Sequence, residues 1–313
     1  MIRLSNGEIW KDTDGNDIHA HGGCIIFHDG YYYWYGEDRR ADHYVSCYRS
    51  KNLASWEFRN WILGSESQVK EYRVKTRLSL LNPDGTKVNI ERPKVLFNEK
   101  TGRFVMWAHF ENGKDYKDAQ VAIASCDTPD GNFTYHGSFN PYGFMSRDCT
   151  LFKDEDGTAY FISAARDNAD LHVYRLTDDY MNVDKLVNRL WQGEYREAPA
   201  VFKHKNTYYM LSSYCTGWAP NQCKYARADR MDGKWSMLKD IGDETTYDSQ
   251  AAFVLTPGDR IFYFGDRWGG NGDKYFESSY VVYELAFKDE RLEMIFSEYA
   301  DIGWRENNEL RSN

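Results

Sequence analysis

Apolar and polar residues alternate along most of the chain with the period of two that puts every other side chain on one face of a strand. The pattern is clearest in EYREAPAVFKHKNTYYMLSSY, Glu194–Tyr214. There a carboxylate, Glu197, is followed by an apolar run, Ala198–Lys203, a tight turn at His204–Asn206 and an aromatic run, Thr207–Tyr214. A proline two places after Glu197 suits the start of a strand, where no ladder donor is needed. The same arrangement recurs four times. His21 precedes GGCIIFHDGYYYWYG, Glu91 precedes RPKVLFNEKTGRFVMWAH, Asp148 precedes CTLFKDEDGTAYFISAA, and Gln250 precedes AAFVLTPGDRIFYFGD. His21 to Gly30, Asp148 to Gly157, Glu197 to Asn206 and Gln250 to Asp259 are each nine residues apart, and Glu91 to Gly102 is eleven.

Each pair of strands is followed by two further alternating runs, with turns such as Asp130–Gly131 and Asp232–Gly233 that read as hairpins. The repeats begin roughly 50 to 70 residues apart, which is the length of a four-stranded propeller blade. No segment has a sustained helical period and no linker is visible. The pattern predicts an all-β, five-bladed β-propeller with four antiparallel strands per blade, a single domain over residues 1–313. Leu78–Val88 reads as an extra hairpin or lid inserted before Glu91. A two-sheet sandwich is the rival architecture, and it does not account for a polar residue at the same place in five repeats, four of them with the same nine-residue offset.

Composition narrows the partners. With 39 Lys and Arg against 48 Asp and Glu the formal charge is −9, so nothing favours nucleic acid or an anionic membrane. No run approaches the ~18 apolar residues of a membrane span. Aromatic residues make up 16%, including 24 Tyr and 10 Trp, and such rings suit both sheet pairing and stacking on sugar faces. Six cysteines lie mostly in apolar strand contexts without a CxxC pair, and read as buried free thiols. The first residues, MIRLSNGEIWKDTDGND, lack a signal-peptide core, as expected of a cytosolic chain or one whose leader has been removed.

The first strand of every propeller blade lines the central channel. His21, Glu91, Asp148, Glu197 and Gln250 are therefore expected around one mouth. Carboxylates held together raise one another's pKa, and burial adds to it. Such a ring supplies what glycoside hydrolysis requires: one protonated acid, and other groups that activate water and tune the acid. Any one of the five taken alone reads as a strand cap; five at one structural position read as a site.

The motifs AHGGCIIFHDGYYYWYGED, ERPKVLFNEKTGRFVMWAH, RDCTLFKDEDGTAYF, REAPAVFKHKNTYYMLSS, TGWAPN and GDRW resemble glycoside hydrolase family 43, and within it the exo-β-1,3-galactanases of subfamily 24. The resemblance implies an enzyme that removes galactose from β-1,3-galactan with inversion at the anomeric carbon. It assigns Glu197 in REAPA as general acid and Asp148 in RDCTLF as the carboxylate that tunes and orients it. Most of the family carries an Asp base at the start of blade one, where this chain reads His19-Ala20-His21-Gly22-Gly23. The galactanase branch is similar in that respect and has a Gln in blade five, matching Gln250, as a group that activates or positions water. Inversion then leads us to expect Gln250 and Glu197 across the sugar pocket, ~6.5–9.5 Å apart.

Glu37 in YYWYGED and Glu91 resemble the hydroxyl-binding carboxylates of this branch; their alternative reading is a strand-end charge. Tyr116, Asn168, Thr216 and Trp218 follow second strands and should rim the mouth with His21, Trp218 as a sugar platform or as core. His19 and His21 lack a third ligand at sensible spacing, so no metal and no cofactor is expected. Two alternatives stand beside the galactanase. One is another exo-glycosidase of the same family, releasing α-L-arabinofuranose, β-galactofuranose or β-xylose; the other is a non-catalytic sugar-binding propeller. The expected partner is an oligo- or polysaccharide, the expected state a monomer, and the family resemblance implies export.

Overall fold

The computed structural model describes residues 4–73 and 76–302. Five four-stranded antiparallel sheets follow one another along the chain, each with its strands in sequence order, and together they form a five-bladed β-propeller. The innermost strands are His21–His28, Asn89–Asn98, Cys149–Lys153, Arg196–His204 and Gln250–Leu255. Each begins within two residues of the polar residue that marks its repeat. Among the described residues the helical segments are two short 3-10 turns, Pro141–Gly143 and Gly272–Glu277.

The alternation within each strand is resolved by burial on both faces. In the second strand of blade two, Arg103–Glu111, the side chains of Met106 and Ala108 join the core shared with blade one. Val105 and Trp107 join the core shared with blade three. Blade four repeats the division: Phe202 and Leu211 pack toward blade five, Val201 and Met210 toward blade three. Each blade is thus a partition between two apolar layers, and the layers hold the blades at fixed angles around the channel.

The ring closes where blade five meets blade one. Trp34 has its ring 5.2 Å from Phe264 and 4.8 Å from Tyr280, both edge-on, a favoured aromatic geometry. Over this seam Leu4–Ser5 pairs antiparallel with Tyr299–Ala300, and the Asn6 amide donates to the carbonyls of Val282 and Ser297. The predicted insertion before Glu91 is a small hairpin in which Leu81 bridges Lys87. The Asn82 amide ties it to the Asn112 carbonyl at 2.6 Å.

Four of the five innermost strands carry a register shift near their first residues: His21/Cys24, Glu91/Lys94, Glu197/Ala200 and Ala251/Phe253. In three of them the residue after the ring residue is left-handed, Gly22 at φ 57°, Arg92 at 54° and Ala198 at 49°. These are β-bulges, which turn a side chain out of the pleat beside a site. At Glu91 and Glu197 the side chain so turned lines the cleft described below.

Candidate active site

At the entry of each innermost strand a polar residue is paired with a cross-strand neighbour, and these pairs supply several of the groups that line the mouth. Glu37 stands opposite His21, His109 opposite Glu91, Ser213 opposite Glu197, and Asp266 opposite Gln250. In blade three the carbonyl of Asp148 accepts from the Ala164 N–H, which fixes that residue at the strand's entry. The cleft they enclose has a volume of about 260 Å³, at the small end for ligand sites and suited to a single sugar ring. Glu37, Glu91, Tyr116, Asp148, Asn168, Glu197, Trp218 and Gln250 all line it.

Glu197 is the most constrained of them. Gln250 Nε2 donates to its Oε1 at 2.9 Å and Asn168 Nδ2 to its Oε2 at 3.1 Å. Burial, and then the Asp148 carboxylate, push the Glu197 carboxyl up to about 7, against the opposing pull of Arg92 and its hydrogen-bond donors. A carboxyl that still holds its proton near neutrality can donate it. Asp148 is in turn paired with Arg92 at 3.1 Å.

Gln250 is fully engaged. Its nitrogen donates to Glu197 and, also at 2.9 Å, to Ser213 Oγ. Its oxygen accepts from the Arg92 guanidinium and, at 2.9 Å, from Trp268 Nε1. Both donors and both lone pairs are used. The expected gap between Gln250 and Glu197 is corrected here: the bulged strand entries of blades four and five converge, and the two side chains touch.

On the opposite wall Arg39 joins two carboxylates, 2.9 Å from Glu91 and 3.7 Å from Glu37. The two are driven apart in acidity. Burial, and next to it Glu91 against the partial relief of Arg39, push the Glu37 carboxyl up to about 7. Burial would also raise Glu91, but His109, Arg39 and Tyr116 outweigh it and hold that carboxyl down at about 2. Tyr116 donates to Glu91 at 3.2 Å.

Two predicted residues fall outside the lining. His21 is buried beneath the pocket, 3.0 Å from Asp266 through Nδ1 and stacked on Tyr280 at 4.7 Å, so its cross-strand partner Glu37 reaches the mouth instead. Thr216 is spent on its own loop: its hydroxyl donates to the Ala219 carbonyl at 2.6 Å and accepts from Asn221 at 2.7 Å. Its neighbours Cys215, Gly217 and Trp218 face the cleft. The sequence reading also passed over Arg39, Arg92, His109, Arg147 and Trp268, which line it. Arg92 follows Glu91 in ERPK and Trp268 closes GDRW, so both sat inside motifs already singled out. The six cysteines are free, with Cys24, Cys47, Cys149 and Cys223 buried.

A propeller whose mouth gathers the four carboxyl groups of Glu37, Glu91, Asp148 and Glu197 between aromatic walls has the make-up of an enzyme that cleaves glycosidic bonds, a glycoside hydrolase. The chain belongs to glycosyl hydrolases family 43, whose family model matches residues 23–251. The comparison with curated protein sequences found no match. Among solved structures, the exo-β-1,3-galactanase of Clostridium thermocellum is 44% identical, with a TM-score of 0.88 over 97% of this chain and 67% of that one. The exo-β-1,3-galactanase of Phanerochaete chrysosporium, solved with β-1,3-galactotriose, is 34% identical, with a TM-score of 0.84 over 96% of this chain and 68% of that one. A family 43 β-1,3-galactosidase solved with galactodeoxynojirimycin is 30% identical, with a TM-score of 0.83 over 94% of this chain and 99% of that one.

Proposed function

We propose that the protein is an inverting exo-β-1,3-galactanase that releases galactose from the ends of β-1,3-galactan, the backbone of arabinogalactan-type glycans. The observation that carries the reading is the buried Glu197 carboxyl, pushed up to about 7 beside Asp148 and held by Asn168 and Gln250. Glu197 is the general acid that protonates the glycosidic oxygen. The Asp148 charge keeps the proton on it until the leaving group takes it. Gln250 is a positioning group in this reading, because its oxygen already accepts two donors and has no free lone pair for a water proton. Similarity to three enzymes that act on β-1,3-linked galactose supports the choice of sugar.

The test is to incubate the purified chain with β-1,3-galactan and with a panel of nitrophenyl glycosides, following products by proton NMR. Galactose appearing first as the α-anomer is the expected result. Release of arabinose or xylose instead would identify another exo-glycosidase of the family. Sugar binding without any release would identify a non-catalytic binder, and galactose appearing first as the β-anomer would refute inversion.

A further inference from the structure

A row of three titratable side chains runs from the wall of the cleft into the interior of blade two. Glu91 lines the cleft, His109 is its cross-strand partner, and Glu111 lies two residues further along the same strand and on the same face. Oε1 of Glu111 is 2.9 Å from Nε2 of His109, whose Nδ1 is 3.3 Å from Oε2 of Glu91. The other Glu111 oxygen accepts the Ala119 N–H at 3.0 Å. Glu111 is wholly buried, does not line the cleft and has no part in the proton transfer described above.

The arrangement constrains the imidazole. Each ring nitrogen faces a carboxylate oxygen, and only the doubly protonated ring offers a donor to both. A neutral ring would set a lone pair against one of the carboxylates, and a buried anion left without its partner is strongly destabilising. The remaining donors around Glu91 are Arg39 at 2.9 Å, Tyr116 at 3.2 Å and Asn89 at 3.3 Å. Glu37 has Arg39 at 3.7 Å, with Glu91, His21 and Tyr275 acting on it as well.

We propose that Glu111 is a positioning residue: it holds His109 as an imidazolium, the imidazolium commits Glu91 to its charged, acceptor-only form, and the proton of the adjacent Glu37–Glu91 pair is thereby left to Glu37. The two carboxyls then present one fixed acceptor and one group that donates below neutrality, a complementary pair for neighbouring hydroxyls of a sugar. The electrostatics agree. Burial would push His109 down, but the two carboxylates push it up to about 9. The role in sugar binding rests on the galactanase reading; the charge state of His109 does not.

The test separates the two. In the full chain labelled with 15N-histidine, the ring whose signal disappears in His109→Gln should keep both nitrogens protonated past pH 8. It should titrate at least about one unit lower in Glu111→Gln, and also in Glu91→Gln, since each removes one of its anions. A His109 that is neutral at pH 7 in the unmutated chain would overturn the proposal, as would a titration unmoved by either substitution. For the binding role, KM for β-1,3-galactobiose is measured from pH 6 to pH 8.5 in both proteins. The ratio of KM in Glu111→Gln to KM in the unmutated enzyme should climb at least about threefold over that range, because only the variant loses the imidazolium that holds Glu91. The ratio of the two kcat values should stay within about twofold, since Glu197 titrates alike in both. A KM ratio independent of pH would overturn that role. If galactobiose is no substrate at all, the galactanase reading fails while the histidine titration still stands or falls alone.

Discussion

The amide nitrogen of Gln250 and the carboxyl oxygen Oε1 of Glu197 are 2.9 Å apart, in direct hydrogen bond across the boundary between blades four and five. Gln250, the proposed positioning group, thus grips the proposed acid itself. A neutral donor in that place holds the acid's geometry without adding a second negative charge. It also ties the acid to Arg92, and through Arg92 to Asp148, in one network.

Glu197→Gln should lower kcat/KM by ~10²–10⁴-fold on β-1,3-galactobiose, the usual worth of general acid catalysis. Nitrophenyl galactoside needs little protonation of its leaving group and should lose less. Equal losses on both substrates would remove Glu197 from the role.

With Glu197 as the proposed acid, its proton should set the alkaline limb of the pH–rate profile. Activity should fall as pH rises through about 7, where the carboxyl ionises. The Asp148 charge raises that pKa, so Asp148→Asn should move the limb to lower pH as well as reduce the rate. A limb that stays in place would show that Asp148 does not tune the acid.

Gln250→Glu puts a carboxylate within 3 Å of Glu197, and like charges that close cannot both ionise. The pair should share one proton and the alkaline limb should move up. Gln250→Ala should depress kcat at least about tenfold while galactose affinity changes less than about threefold, the signature of a transition-state role. Calorimetric titration with galactose beside steady-state kinetics checks both.

Two buried carboxyls pushed up to about 7 affect stability as well as rate. The folded state holds protons on Glu37 and Glu197 that the unfolded chain releases near pH 4.5. Their contribution is therefore present at low pH and is lost as pH rises from 4.5 through 7. Glu37→Gln should raise Tm at pH 8 by a few degrees and flatten its fall between pH 5 and pH 8. Thermal melts at several pH values decide it, and a lower Tm at pH 8 would contradict the assignment.

The five strand entries were legible because a repeat puts equivalent residues at equivalent places, and the nine-residue offset of four of them is visible without a structure. What escaped lies one interaction further in. Arg92 is adjacent to Glu91, but its left-handed backbone sends the guanidinium across to the Ala251 carbonyl and Gln250 in blade five, a direction that no period of two predicts. His109 and Glu111 read as two polar positions in a buried strand. Pairing the first hairpin of blade two in register would have set His109 opposite Glu91. Thr216 shared a loop with Trp218 and Gly217, yet its hydroxyl closes that loop, since a short hydroxyl beside free backbone groups is captured locally. The Gln250–Glu197 contact depends on the bulges at strand entry, and a bulge leaves no reliable trace in alternation.

The five-way origin of the cleft has a consequence for how the protein acquires its activity during folding. A blade is a local meander that can form from contiguous residues, and local contacts form early. No single blade contains more than a fraction of the cleft, however, and Arg92 must find Gln250 across the seam between the first and last parts of the chain. Catalysis therefore reports on closure of the whole circle, while strand content reports only on its segments. In refolding, circular dichroism should recover ahead of turnover, and the interval between them measures the time the seam of Trp34, Phe264 and Tyr280 takes to shut.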